Sequence, residues 1–168
     1  DVVVEVRAAA LNHLDIWVRK GVRGAALSMP HILGSDAAGV VVDKGADTPG
    51  VEIGDEVVVN PGLSCGFCEY CRKGEQSECS SFGILGLTGP GIFAENVAVP
   101  CGNVWPKPAH LDFCKAAALP LVWQTAWRML FSRGGLKPGE TVLIHGIGGG
   151  VALTCLQLAQ WAGAEVIV

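Results

Sequence analysis

The fold class is decided by the segment TVLIHGIGGGVALTCLQLAQWAGAEVIV, residues 141–168. An apolar run is followed by a glycine-rich turn, then by an apolar stretch with helical spacing, and then by a second apolar run. A strand, a tight turn, a helix and a strand in this order predict a βαβ unit, which opens a parallel sheet. The segment ends on an apolar run without a turn after it, so we expect it to continue in a longer parent protein.

The glycine-rich turn is a candidate dinucleotide site. Small residues let the backbone approach a pyrophosphate and direct the amides of the following helix at its charge. Two frames fit the motif: Gly146 with Gly149 and Ala152, or Gly146 with Gly148 and a third position at Val151. A turn that serves only packing is the alternative. We therefore expect the cofactor contacts to come from Gly146, Gly148, Gly149, Gly150 and Val151. The residue that distinguishes NAD from NADP would follow the second strand.

The residues before this unit predict a small β-rich domain. Alternating valines mark the first strand, and the predicted strands cover residues 1–10, 38–45 and 54–60. Helical spacing follows at residues 12–20, and again after a capping Asp112 and an opening Pro120. The change from strand-like alternation to helical spacing places a domain boundary near Phe131, which divides the chain into residues 1–131 and 132–168.

Four of the seven cysteines lie in the segment CGFCEYCRKGEQSEC, at Cys65, Cys68, Cys71 and Cys79. This spacing brings four thiolates onto one loop, where they can surround Zn²⁺ tetrahedrally and leave no position open for water. Disulfide pairing is the alternative, and a chain without a secretory signal disfavours it. A zinc ribbon that binds nucleic acid or protein more often pairs two CxxC knuckles across a long gap. We therefore predict one structural Zn²⁺ in a lobe at residues 61–81.

Composition narrows the classes of function. A formal net charge of -4 with no basic cluster argues against a nucleic-acid partner. No apolar run reaches the ~20 residues that a membrane span needs, and the first residues lack the layout of a secretory signal. We expect a cytoplasmic protein that binds a small-molecule substrate.

In chain order, the segments resemble the medium-chain dehydrogenases/reductases over all 168 residues. The resemblance rests on AAALNHLDIWVRKG, ILGSDAAGVV, GDEVVV, the cysteine segment, FAENVAVP, AAALPLVWQTAW and VLIHGIGGGVA. It implies a β-rich GroES-like domain followed by the first βαβ unit of a truncated α/β Rossmann domain, with NAD(P)H and a small substrate bound between the two. It also implies that the cysteine lobe holds the family's structural zinc. We expect the full-length parent to be a homo-oligomer.

The resemblance places other residues where alcohol dehydrogenases of the family bind catalytic zinc. Asn12 stands at a zinc-binding cysteine, Leu14 at the hydroxyl residue that relays a proton, and Ser35 at a zinc-binding histidine. The third ligand position falls at about Leu121, and Trp17 replaces a relay histidine. Asn and Ser are poor zinc ligands, and Leu cannot bind zinc. The pattern resembles the quinone oxidoreductases and enoyl reductases, which work without metal, although those members commonly lack the cysteine lobe.

Three functions are hypotheses for the parent protein. The first is an NAD(P)-dependent oxidoreductase that acts on an enone, quinone or unsaturated thioester without catalytic zinc. The second is a non-catalytic binding or structural protein on the same fold, and the third is a zinc-dependent alcohol dehydrogenase. We expect residues 1–168 alone to be inactive.

Two residues are candidates for contacts with the reacting molecules. Asn12 is the candidate catalytic residue, because its carboxamide could donate to the enolate oxygen. It could instead contact the nicotinamide ribose, or serve only as a helix cap. The resemblance aligns Thr125 with the family's threonine near the nicotinamide, so we expect Thr125 to bind the cofactor.

Overall fold

A computed structural model of the chain describes residues 1–22 and 27–168. These residues form two compact units, Asp1–Pro120 and Leu121–Val168. The boundary expected near Phe131 lies inside the second unit, because Ala126 and Leu130 belong to the same apolar cluster as Ile144 and Leu158. The division into residues 1–131 and 132–168 stays a prediction.

In the described part of the first unit, seven strands alternate with short loops and helices. They are β1 (Val2–Ala10), β2 (Asp36–Lys44), β3 (Glu56–Val59), β4 (Gly62–Leu63), β5 (Gly83–Ile84), β6 (Asn96–Val99) and β7 (Val104–Pro106). Five of them form one antiparallel sheet in the order β6-β1-β2-β3-β7, and β4 pairs with β5 in a separate two-stranded sheet. The predicted β-rich domain is therefore confirmed.

The alternating valines of β1 pack into one core cluster, as a period-2 pattern predicts. Val2 and Val4 are fully buried, and Val6 packs against the same core cluster. Valines of β2, β3 and β6 belong to that cluster, together with Val51, Leu85, Ile92 and Val104. A period-2 pattern places alternate side chains on opposite faces, so β-branched residues at every second position build this core.

Five α-helices lie in the described residues: α1 (His13–Lys20), α2 (Glu69–Arg72), α3 (Phe113–Ala117), α4 (Pro120–Trp127) and α5 (Gly150–Trp161). Helix α1 ends at Gly21, whose φ of 95° a residue with a Cβ rarely adopts. The predicted cap of α3 is confirmed, because the Lys115 N–H donates to the Asp112 carboxylate at 2.7 Å. Helix α4 continues as a π-helical segment, Arg128–Arg133. None of the helices in the described residues is long and apolar enough to span a membrane.

The second unit contains the βαβ arrangement that the glycine-rich segment predicts. Strands β8 (Thr141–Leu143) and β9 (Glu165–Ile167) pair in parallel, and α5 connects them. Parallel neighbours need a crossover of this kind. The apolar side of α5 packs on the cluster around Ile144 through Cys155, Leu158 and Ala159.

Candidate functional site

The cysteine lobe is folded by hydrogen bonds from backbone N–H groups to sulfur. The N–H of Cys68 donates to Cys65 Sγ at 3.4 Å, and the N–H of Cys71 donates to Cys68 Sγ at 3.5 Å. The latter contact also caps α2, a single turn that begins after Cys68. After a 3-10 turn at Gln76–Glu78, the N–H of Ser81 donates to Cys79 Sγ at 3.4 Å. The sulfurs of Cys65, Cys68 and Cys79 are thus each held by a nearby backbone N–H.

The four sulfurs converge on one point. All four Sγ atoms lie within 4.8 Å of one another, and Cys65 Sγ and Cys71 Sγ are 3.9 Å apart. A tetrahedron of ~2.3 Å Zn–S bonds has edges of ~3.8 Å, so this spacing fits a zinc ion. It is far above the ~2.05 Å of a disulfide bond, and all four cysteines are free thiols. In the described part of the chain, this is the only group of three or more His, Cys, Asp or Glu ligands that could hold a metal.

Local hydrogen bonds also prepare one sulfur for metal binding. The backbone N–H groups of Phe67 and Cys68 lower the pKa of the Cys65 thiol to about 6. At Cys68 the N–H of Cys71 acts in the same direction, but burial and the neighbouring thiols raise the pKa of this group to about 11. Donors to sulfur favour the thiolate, which is the form that ligates metals. Of these two thiols, Cys65 is the one whose backbone donors favour the thiolate.

Asn103, which no sequence motif identifies, anchors the segment that enters the cysteine lobe. Asn103 is buried, and its Nδ2 donates to the carbonyls of Asn60 and Gly62, both at 2.8 Å. The Asn60 N–H in turn donates to the Asn103 carbonyl at 2.7 Å. These bonds join the segment that enters the lobe to the start of β7. Nothing in the local pattern around Asn103 signals this contact.

Asn12, the candidate catalytic residue, lies between β1 and α1 and is held by two carboxylates. Its backbone N–H donates to Asp15 Oδ2 at 2.7 Å, and its Nδ2 donates to Asp36 Oδ2 at 2.9 Å. The backbone of Asn12 is extended, as a residue before a helix requires. Both carboxylates are buried, and Asp36 is only 1% exposed. The structure thus brings Asn12 together with Asp36, the first residue of β2.

The side chain of Ser35, which the resemblance aligns with a zinc-binding histidine, is hydrogen-bonded within the fold. The residue is fully buried, and its hydroxyl donates to the Leu85 carbonyl at 2.7 Å. The preceding Gly34 packs so tightly that an added Cβ would meet the ring of Phe93 at 2.4 Å. Its carbonyl also accepts the N–H of Ile92 at 3.1 Å. The start of β2 is therefore fixed on both sides.

Two other candidate side chains, Thr125 and Trp17, are exposed to solvent. Thr125 is exposed on α4, and its hydroxyl donates to the Leu121 carbonyl at 2.7 Å, one helical turn back. Trp17 is 56% exposed, and the ring of His13 meets it edge-on with centroids 4.9 Å apart. His13 and Trp17 thus form an exposed aromatic pair on the face of α1 next to Asn12.

The glycine turn has the features that a phosphate-binding turn needs. Gly146 has a φ of 73°, and its carbonyl accepts the N–H of Gly149 at 3.0 Å, which closes the turn before α5. A Cβ on Gly150 would lie 3.2 Å from the side chain of Val122, so helix α4 approaches the start of α5 closely. The first turn of α5 carries no acidic residue. Unpaired N–H groups at a helix start and a positive dipole favour an anion there.

An antiparallel domain with a four-cysteine lobe, followed along the chain by a βαβ unit with a glycine turn, defines the class of medium-chain dehydrogenases/reductases. The family model for the alcohol dehydrogenase GroES-like domain matches residues 1–109. The chain therefore belongs to the alcohol dehydrogenase GroES-like domain family, within the medium-chain dehydrogenase/reductase superfamily.

Named relatives span two kinds of chemistry. A zinc-type alcohol dehydrogenase-like protein of Schizosaccharomyces pombe is 36% identical over 170 residues, which are 100% of this chain and 47% of that protein. A crotonyl-CoA carboxylase/reductase of Cereibacter sphaeroides is 36% identical over 174 residues, 99% of this chain and 40% of that protein. A solved structure of an NAD-dependent alcohol dehydrogenase superposes with a TM-score of 0.94 at 49% identity, over 98% of this chain and 48% of that one. The chain spans about half the length of the relatives it matches.

Proposed function

We propose that this chain is part of an NAD(P)-dependent oxidoreductase that transfers a hydride to an activated double bond without a catalytic zinc. The substrate class is an enone, a quinone or an unsaturated thioester. One observation carries the proposal: the side chains at two positions for catalytic zinc ligands are hydrogen-bonded within the protein, Asn12 to Asp36 and Ser35 to Leu85. A carboxamide and a buried hydroxyl used in this way are poor ligands for Zn²⁺.

The proposed reaction needs a hydrogen-bond donor rather than a metal. When bound, NAD(P)H would supply the hydride to the carbon β to the carbonyl. The double bond would then shift to the Cα–carbonyl bond, and the negative charge of the enolate would develop on the carbonyl oxygen. Asn12 donates one N–H to Asp36, and its amide nitrogen carries a second N–H that could donate to this oxygen. A proton from solvent then completes the reduction.

We propose three places on the chain for cofactor contacts. We propose that Cys65, Cys68, Cys71 and Cys79 hold one structural Zn²⁺, which stabilises the lobe and takes no part in the reaction. The turn residues Gly146, Gly148, Gly149, Gly150 and Val151 would bind the pyrophosphate of the dinucleotide, as the first βαβ unit of a Rossmann domain does. Thr125 would contact the nicotinamide. We also propose a homo-oligomeric, cytoplasmic parent protein.

The experiment compares substrate classes on the full-length parent. NADH and NADPH are each tested with crotonyl-CoA, 2-cyclohexenone and a benzoquinone, and NAD(P)⁺ is tested with primary and secondary alcohols. We expect reduction of at least one activated alkene or quinone, and no turnover by residues 1–168 alone. Alcohol oxidation that needs a second zinc would establish the alcohol dehydrogenase that several relatives' names suggest. Failure to bind either coenzyme would favour a non-catalytic protein.

A further inference from the structure

We propose that Asp36 is the positioning residue for Asn12, and that it fixes which atoms of the Asn12 carboxamide face a bound molecule. This inference rests on the proposed function, in which the Asn12 amide is the hydrogen-bond donor. It concerns a residue that contacts Asn12 and need not touch the substrate itself.

The two carboxylates around Asn12 hold different parts of the residue. Asp15 accepts the backbone N–H at 2.7 Å, and the Asp15 N–H donates back to the Asn12 carbonyl at 3.0 Å. These bonds fix the main chain. The carboxamide faces the Asp15 N–H in a capping box, and its Nδ2 donates to Asp36 Oδ2 at 2.9 Å, which is the bond that holds the NH₂ group.

A carboxylate at this place selects one of the two orientations of the amide. Because Nδ2 donates to Asp36 Oδ2, the NH₂ group faces Asp36 and the carbonyl Oδ1 points away from it. The second N–H of the same nitrogen then has one direction in space. An amide rotated by half a turn would present its carbonyl oxygen instead, and an oxygen cannot stabilise a developing oxyanion.

Asp36 is well placed to impose this orientation because it is buried and paired within the sheet. It begins β2 and is the register partner of Ala10, the last residue of β1. Asn12 follows only two residues later. The neighbouring Ser35 is fixed by its bond to Leu85, and the next residue, Ala37, is fully buried. A rigid support of this kind keeps a reacting group within the narrow range of useful geometry.

A double-mutant cycle on the full-length parent, with crotonyl-CoA and NAD(P)H, tests the coupling. We expect Asp36→Ala to lower kcat by about 10²-fold, as small misplacements of a reacting group do, with little change in the KM for coenzyme. In an Asn12→Ala background, Asp36→Ala should change kcat by no more than about twofold, because the group it orients is gone. Asp36→Asn keeps an acceptor oxygen but permits both orientations of the Asn12 amide. Its kcat should therefore lie between those of the wild type and Asp36→Ala.

The matched control is Ser35→Ala, which removes a buried hydrogen bond of the adjacent residue, made to Leu85 and not to Asn12. Its effect on kcat should be the same with Asn12 and with Ala at position 12. Equal losses from Asp36→Ala in both backgrounds would reduce Asp36 to a structural residue and overturn the proposal. If Asp36→Ala does not fold, the same comparison is made with Asp36→Asn.

A second readout does not depend on turnover. In full-length protein labelled with ¹⁵N-asparagine, the two side-chain amide protons of Asn12 should have well-separated shifts, because one of them is bonded to a carboxylate. Asp36→Ala should bring these shifts together, whereas Ser35→Ala should leave them apart. Unchanged shifts in Asp36→Ala would overturn the positioning role. If the wild-type protein reduces none of the alkenes or quinones, the proposed function fails, and the amide shifts still decide whether Asp36 orients Asn12.

Discussion

The cysteine lobe and the region around Asn12 both gather polar side chains, but they direct them differently. In the lobe the four sulfurs point at one another within 4.8 Å, and the backbone N–H groups support them from outside. Around Asn12, each polar side chain is turned toward another group of the protein: Asn12 to Asp36, and Ser35 to the Leu85 carbonyl. One arrangement leaves its ligand atoms for a cation, and the other uses its polar atoms within the fold.

This difference teaches that a metal site is identified by where ligand atoms converge rather than by how many polar residues are present. Buried polar groups need partners. When the protein itself supplies those partners, the fold no longer depends on a metal at that place. The comparison therefore predicts one zinc per chain, in the lobe, and a catalytic region that works without one.

The largest effect is expected from breaking the lobe. Structural zinc contributes on the order of 10 kcal/mol to the folding of small units, and four ligands must act together. Cys68→Ser should release the zinc and open the lobe at residues 61–81 to proteases. Metal analysis and limited proteolysis measure both outcomes, with Cys114→Ser, at an exposed cysteine outside the cluster, as the control. Two zinc ions per wild-type chain, or disulfides among the four lobe cysteines, would contradict the comparison.

A chelator distinguishes the two regions in a different way. If zinc only supports the lobe, activity of the full-length parent should fall at the rate at which the protein unfolds, because the reacting groups need no metal. Activity and circular dichroism followed in parallel after addition of chelator give the two rates. Rapid loss of activity in protein that is still folded, with recovery on adding zinc, would indicate a catalytic metal.

The next largest effect, a fall in kcat, is expected when the Asn12 amide is removed. If its amide donates to the developing oxyanion, Asn12→Ala should lower kcat by about 10²–10³, as the loss of one such donor does elsewhere. Coenzyme affinity should change little, because the substrate oxygen is the partner. Steady-state kinetics together with coenzyme titration separate the two parameters. An effect confined to coenzyme binding would assign Asn12 to the nicotinamide ribose instead.

Local patterns explain how far the sequence could predict this molecule. The valines of β1, the cap at Asp112 and the parallel βαβ unit each depend on residues within a few positions or one supersecondary unit. The sulfur cluster also lies within one loop, so cysteine spacing was sufficient to predict it. The π-helical turn at Arg128–Arg133 was missed, because α4 and this turn share one apolar, helix-like pattern.

The contacts that shape the candidate site are distant in sequence. Asn12 and Asp36 are separated by 24 residues, Asn103 and Asn60 by 43, and Ser35 and Leu85 by 50. No periodicity or motif specifies such pairs, because they arise only when the strands are in register. The sequence therefore identified which ligand positions had changed, and the structure was needed to show what the new side chains contact.

The smallest effect is expected at Ser35, and it makes the comparison sharper. Ser35→Ala leaves the Leu85 carbonyl without this bond in a fully buried place, which typically costs about 1–3 kcal/mol. The midpoint of denaturant unfolding should fall, while zinc content and the response to chelator should match the wild type. Thr48→Ala, which removes a longer 3.3 Å bond to the Asp1 carbonyl, is the control and should destabilise less. A loss of bound metal in Ser35→Ala would show that this position still takes part in a metal site, and the contrast between the two regions would then be wrong.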